Sequence, residues 1–409
     1  MQTVEEALKA VGDAVAGART RIETVALEEA LGRFLAEDVA MDHDVPPFDR
    51  ATMDGFAVRS ADAAAPGAVL RVVGRVRAGE RPDRPVARGE AVAIMTGAPM
   101  PWGADAVVPV EDVDATAGVA GAEEAVRVRV AVPAGGAIAR RGEQVAAGET
   151  VLRAGTRVHP GVVGVLATAG RTRIPVAGRP TVAVVTTGDE IVPASEVPGP
   201  ARLRDGNGPA LAAQAVRAGA RAVREGPVRD ERPALEAALA RGLSADVLCV
   251  SVGVSMGERD LVPAALEALG VACVFHRWAA KPGGPLWFGR RGKTLVFGLP
   301  GNPAAGFVGF EVLVVPALRA LMGAPFAARE TMRARYGGTT AKASEKRLYV
   351  PVRRSTAGSA LTAAPVRWKG SGDPFGFALA DGIAVIPEGV RVERAGAVEV
   401  DVIPLEGTS

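Results

Sequence analysis

Three short polar segments of this 409-residue chain carry the residue types that phosphate and metal chemistry needs. Thr187-Gly188-Asp189-Glu190 sets two carboxylates beside a glycine, directly after the apolar, β-branched run Thr181–Val185. Gly253-Val254-Ser255-Met256-Gly257-Glu258-Arg259-Asp260 offers flexible backbone, a hydroxyl and acids, and follows the strand candidate Val247–Val252. Leu299-Pro300-Gly301-Asn302-Pro303 is a tight turn that opens a helix. Glycine lets backbone N–H groups close on an oxyanion, and a helix N-terminus adds a favourable dipole. Singly, each segment is also ordinary turn chemistry. What they share is a place just past a strand, where open parallel sheets bind ligands. Lys281-Pro282-Gly283-Gly284-Pro285 follows a strand ending near Arg277 and adds a compact point charge suited to an oxyanion, or else a solvated loop lysine. Magnesium on carboxylates together with a lysine is a common way to hold a pyrophosphate.

Two further constrained segments lie upstream. Pro47-Phe48-Asp49-Arg50-Ala51-Thr52-Met53-Asp54-Gly55-Phe56-Ala57 places two aspartates, an arginine and an Asp-Gly pair between apolar anchors; a hairpin turn at Asp54-Gly55 is its plain alternative. Met95-Thr96-Gly97-Ala98-Pro99-Met100-Pro101 reads equally as a Pro-stiffened surface loop, with Asp105 and Glu111 beyond it. Rival motifs fail. No GxxxxGKS or GxxxxGKT run exists, and Gly370-Ser371-Gly372 reaches its next glycine only at Gly376, too late for a dinucleotide fingerprint. His43, His159 and His276 have no metal-ligand spacing. The chemistry therefore rests on carboxylates, lysine and backbone amides.

The elements that position these groups follow from periodicity. An amphipathic helix opens the chain, with a capping box at Thr3 and Glu6 and Val4, Leu8, Val11 and Val15 at helical spacing. A second helix is expected from Glu23 or Thr24, with Leu27, Leu31 and Leu35 on one face. Residues 46–140 alternate short apolar runs with Gly/Pro turns and read as an inserted β module. Residues 141–177, with a helix around Val162–Ala169, are expected to pack back on residues 1–45 as one segmented domain. From 178 to 324 strand, loop and helix alternate, which implies a mainly parallel sheet with helices on both faces. Residues 325–409 return to short strands as a second β module.

Composition limits the remaining classes. The net charge of +2 leaves no dominant basic face, so nucleic acid is not an expected partner. Cys249 and Cys273 sit in apolar runs and are expected to be small buried hydrophobes, without a disulfide framework. The acidic, polar N-terminus is unlike a signal peptide, and no uninterrupted apolar run reaches about 18 residues, so no membrane span and a cytoplasmic location are expected.

Taken together, Pro47–Ala57, Thr96–Glu111, Thr186–Glu190, Ser251–Asp260, Lys281–Pro285 and Pro300–Pro303 resemble, in order, the molybdopterin molybdenumtransferase family, the bacterial MoeA proteins and the C-terminal half of gephyrin. The resemblance covers essentially the whole chain. It implies a multidomain α/β plus all-β homodimer with an α/β domain like the molybdopterin adenylyltransferases, a segmented helical domain, the inserted β module and a C-terminal β barrel. It implies a transferase that combines adenylyl-molybdopterin and molybdate to give molybdenum cofactor and AMP, with Mg2+ as cofactor and each active site shared between subunits. By the same resemblance Asp54, Glu190, Asp260 and Lys281 are the expected catalytic residues, and Asp54, Glu190 and Asp260 the metal ligands. Thr96, Thr187, Gly188, Asp205, Asp230, Gly253, Ser255, Arg277, Pro300, Gly301 and Asn302 are the expected substrate contacts. A molybdopterin adenylyltransferase is a candidate protein partner. The chain departs from the family pattern at Val252, where a glycine is usual, at Gly284, where a second lysine is usual, and at Gln144, a place often held by aspartate. The alternatives are a molybdopterin adenylyltransferase, which lacks the module carrying Asp54 and Thr96, and a non-catalytic gephyrin-like scaffold.

Overall fold

The computed structural model describes residues 1–18, 21–116, 124–252, 261–357 and 360–405. The chain forms two compact units: Met1–Glu37 with Ala154–His159 and Arg173–Ser409, and Asp38–Arg153 with Pro160–Thr172.

At the centre of the first unit is a six-stranded sheet, in the order Arg221–Val228, Thr181–Thr187, Val247–Val252, Thr294–Pro300, Trp287–Arg291, Ala272–His276. Its first four strands are parallel, and Trp287–Arg291 runs antiparallel to both its neighbours. Side chains alternate across a strand, so a strand buried on both faces must be apolar throughout. Val182 and Val184 join Val247 and Cys249 in one core, while Ala183 and Val185 join Leu248 and Val250 in the other. The first core takes the helix Asn207–Arg217 through Leu211 and Ala215, and the N-terminal helix Val4–Val15 through Val4, Ala7, Val11 and Val15. The second takes Arg232–Gly242 and Leu261–Ala268 through Leu235, Leu239, Val262 and Leu266. Helices thus cover both faces, as the alternation of elements requires.

The capping box is formed: Thr3 N–H donates to the Glu6 carboxylate at 2.8 Å, and Glu6 N–H donates to Thr3 Oγ1 at 3.1 Å. The expected second helix is not. Ile22–Ala26 is a strand paired antiparallel with Arg173–Ala177, followed by a single tight turn at Leu27–Glu29, and Leu31 is exposed. Ile22, Thr24 and Val25 are β-branched, and a partner strand from far along the chain settles what the leucine spacing left open. The helical segment Pro303–Leu321 is 19 residues long and apolar enough to cross a membrane, yet 83% of it is buried inside the unit. Residue counting misses its length because Glu311 interrupts the run. That carboxylate is fully buried, taking Arg329 at 2.8 Å, the Gln214 amide at 2.6 Å and a close contact from Arg217.

Met332–Tyr336, Arg347–Ala357, Ala360–Pro365, Gly382–Ile386 and Glu399–Pro404 close on themselves as a barrel, each strand pairing with two others. Closure removes the exposed edges that short strands would otherwise present. Ala280–Lys281 pairs with Arg347–Leu348 at this barrel.

The second unit is built on another six-stranded sheet, in the order Ala106–Pro109, Gly55–Val58, Glu90–Ile94, Val69–Val76, Ala125–Val128, Val113–Thr116. Asp54-Gly55 is not a hairpin turn; Gly55 begins a strand flanked on both sides. A Cβ there would sit 2.0 Å from the Val108 carbonyl oxygen, so only glycine fits. Cys249 is fully buried as expected, but Cys273 is exposed, because Ala272–His276 is an edge strand with one neighbour.

Candidate functional site

A cleft of about 700 Å³ in the first unit lies past the carboxyl ends of Thr181–Thr187, Val247–Val252 and Thr294–Pro300. The register places Thr186 beside Ser251, and Ser251 beside Leu299, so the three strand ends open at one level. Loops with hydroxyl, amide and carboxylate groups line it, which is where an open parallel sheet binds ligands.

Buried Asp205 organises the floor. Its carboxylate accepts from the Thr186 hydroxyl at 3.0 Å and from Gly208 N–H at 2.8 Å, holding the start of the helix Asn207–Arg217 against the strand end. Asn207 then ties the loops together, its amide donating to Ser251 Oγ at 2.9 Å and to the Gly301 carbonyl at 2.7 Å. Asn302 donates to Ser371 Oγ at 3.1 Å. Thr187 donates to Asp230 at 2.7 Å, and Asp230 N–H donates to Asp189 at 3.2 Å. Gly188 adopts φ +143°, and a Cβ there would meet the Glu190 carboxylate at 2.9 Å. The glycine therefore turns the chain tightly enough to return exposed Glu190 to the cleft.

Of the residues expected from the sequence, Thr187, Glu190, Asp205, Pro300, Gly301 and Asn302 line this one cleft. Gly188 and Asp230 support it from behind through the contacts above. Gly253, Ser255 and Asp260 lie outside the described residues. Arg277 does not line it; its φ of +83° is held as Gln2 N–H donates to its carbonyl at 3.0 Å and its own N–H donates to Leu286 O at 2.8 Å. Lys281 does not line this cleft either. Pairing with the barrel strand carries it into a separate cavity of about 880 Å³ that also exposes Lys342 and Lys346. The Lys346 ammonium lies 3.2 Å from where a Cβ on Gly284 would stand.

Asn207, Ser251 and Thr186 are cleft residues that the sequence reading did not single out. The run Asp205-Gly206-Asn207 directly before a helix carried that signal, since Asx residues favour helix starts.

Asp54 and Thr96 belong to the second unit. Thr96 holds the Asp54 carboxylate with its backbone N–H at 2.7 Å and its hydroxyl at 2.8 Å. The amide first and the hydroxyl second keep this exposed carboxyl below the usual aspartate range. Nearby, Asp49 takes Arg140 at 2.7 Å and Arg141 N–H at 2.8 Å. Gln144 is exposed, with its backbone N–H bonded to Val45 O at 2.9 Å.

Among the described residues no cluster of three acidic, histidine or cysteine side chains could bind a metal by itself. The cleft does hold two carboxylates, Glu190 and Asp205, among hydroxyl and amide oxygens. That donor set suits magnesium, which is typically held by one or two carboxylates and completed by substrate phosphates and water.

Three family models match the chain. MoeA N-terminal region (domain I and II) matches residues 2–170, probable molybdopterin binding domain residues 183–320, and MoeA C-terminal region (domain IV) residues 333–405. The chain is 32% identical over 391 residues to a molybdopterin molybdenumtransferase of Staphylococcus epidermidis, covering 94% of this chain and 91% of that one. It is 38% identical over 302 residues to a Bacillus subtilis protein of the same name, covering 73% and 70%. Two solved structures of molybdopterin biosynthesis MoeA proteins from Pyrococcus horikoshii superpose over nearly all of both chains. One has TM-score 0.83 and 27% identity, the other TM-score 0.79 and 34% identity.

Proposed function

The chain belongs to the molybdopterin molybdenumtransferase family, and from that premise we propose how its own residues insert molybdenum from molybdate into adenylyl-molybdopterin, releasing AMP. The observation that carries the reading is the cleft at three parallel strand ends, with Glu190 at its rim, Asp205 beneath it and Asn207 clamping its loops.

In this reading the backbone amides and hydroxyls of the Thr187, Ser251 and Gly301 loops bind the phosphoanhydride of the adenylylated pterin. Asn207 and Asp205 keep those loops at fixed separation, so the substrate meets preorganised donors rather than mobile ones. Magnesium held by Glu190, and by Asp54 and Asp260 as the family resemblance implies, would neutralise phosphate charge there. The lysines of this cavity, Lys281, Lys342 and Lys346, hold molybdate as an anion before transfer.

The assembly proposed is a cytoplasmic homodimer in which Asp54 and Thr96 of one chain complete the cleft of the other. A molybdopterin adenylyltransferase is a candidate supplier of the substrate. Its domains are proposed as residues 1–45 with 141–177, 46–140, 178–324 and 325–409. Reconstitution of a molybdenum-free molybdoenzyme apoprotein tests the reading. The purified chain, adenylyl-molybdopterin and molybdate should restore its activity, and Glu190→Gln should abolish that restoration. Equal restoration without the chain would contradict it.

A further inference from the structure

A second cavity of about 180 Å³ in the first unit shares no lining residue with the cleft, and six arginines reach it: Arg33, Arg157, Arg179, Arg217, Arg319 and Arg329. Among the described residues no acidic side chain lines it. Two carboxylates serve these arginines from outside the lining. Buried Glu311 takes Arg217 and Arg329, and Glu23 takes Arg33 at 2.8 Å. Guanidinium groups stay charged at any physiological pH.

Helix ends account for part of the cluster. Arg217 and Arg319 lie in the last turns of their helices, where a cation complements the dipole. Arg33, Arg157 and Arg179 belong to no helix. Arg157 and Arg179 are exposed and make no ion pair among the described residues. Arg33 is the informative one. It is only 8% exposed, and its terminal nitrogen is spent on Glu23 and on the Ala177 carbonyl at 2.8 Å. Its Nε is buried without a hydrogen-bond partner. A buried, charged donor left unpaired is costly.

We propose that this cavity binds a small tetrahedral dianion, of the phosphate, sulfate or molybdate class, with Arg33 as the buried donor and Arg157 and Arg179 closing over it. The volume has room for one such ion. Planar guanidinium groups are the natural partners for its oxygens.

Equilibrium dialysis of the full chain against radiolabelled phosphate at fixed ionic strength tests this. One phosphate should bind per chain and persist in Asn302→Ala, which alters the cleft alone. It should weaken by at least about tenfold in the Arg157→Ser/Arg179→Ser double variant, the scale of a lost charged hydrogen bond. Those two side chains are exposed, so the fold is not at stake, and unchanged thermal unfolding without phosphate checks this. Sulfate and molybdate should displace the label, while chloride should not. Absence of binding, equal binding in the arginine variant, loss in Asn302→Ala alone, or displacement by chloride would each overturn the assignment.

Discussion

Thr96 holds Asp54 twice, its backbone N–H and its hydroxyl both donating to the same carboxylate oxygen, at 2.7 and 2.8 Å. Both bonds favour the ionised carboxyl, the amide more than the hydroxyl. The folded pKa is depressed, so the stabilisation is present above the unfolded value and is lost as pH falls through the folded one. Thr96→Val removes the hydroxyl and keeps the amide. The Asp54 pKa should rise towards the ordinary aspartate value, and the acid limb of activity should move to higher pH. Carbon NMR titration of labelled aspartate measures the first directly. An unchanged Asp54 titration would show that the hydroxyl contributes nothing.

Glu311→Ala leaves Arg217 and Arg329 facing a vacated, buried site. Breaking one side of a buried ion network costs about 3–5 kcal/mol. Denaturant unfolding should show a loss of that order, and a loss under about 1 kcal/mol would mean water or relaxation replaces the carboxylate.

The two thiols should behave oppositely. Burial pushes the Cys249 thiol up and shields it, whereas Cys273 is exposed on its edge strand. A thiol reagent should label one cysteine in the folded chain, Cys273, and both after denaturation. Cys249→Ala should keep activity and cost roughly 1 kcal/mol of stability. A folded but inactive Cys249→Ala variant would give that thiol a role this account denies it.

Much of the first unit is legible in the sequence because its strands are buried on both faces. Val182–Val185 and Val247–Val250 are continuously apolar, and the polar loops follow directly. Ile22–Ala26 was not legible, because its strand partner lies near residue 175 and leaves no local mark. The place of Lys281 was hidden for the same reason: pairing with Arg347–Leu348, not the preceding strand, decides which cavity it enters. Asn207 had a local signal in the Asx-rich helix start, but its bond to Ser251 across the loops has no sequence mark.

If each cleft is completed by a second chain, Asp54→Asn and Asp260→Ala should complement on mixing. In a mixed dimer one cleft carries both changes and the other neither. Random reassociation makes about half the dimers mixed, so activity should recover to about a quarter of wild type. Subunits must first be dissociated and allowed to reassociate, with two tags eluting together as proof of exchange. Confirmed exchange with activity still at the single-mutant level would mean that each cleft is built from one chain.

AMP release bears most directly on the central claim. The purified chain is incubated with adenylyl-molybdopterin, with and without molybdate and with and without a divalent cation, and AMP is quantified. The account predicts AMP only when both are present. AMP release without molybdate, or formation of adenylyl-molybdopterin from ATP and free pterin, would contradict it.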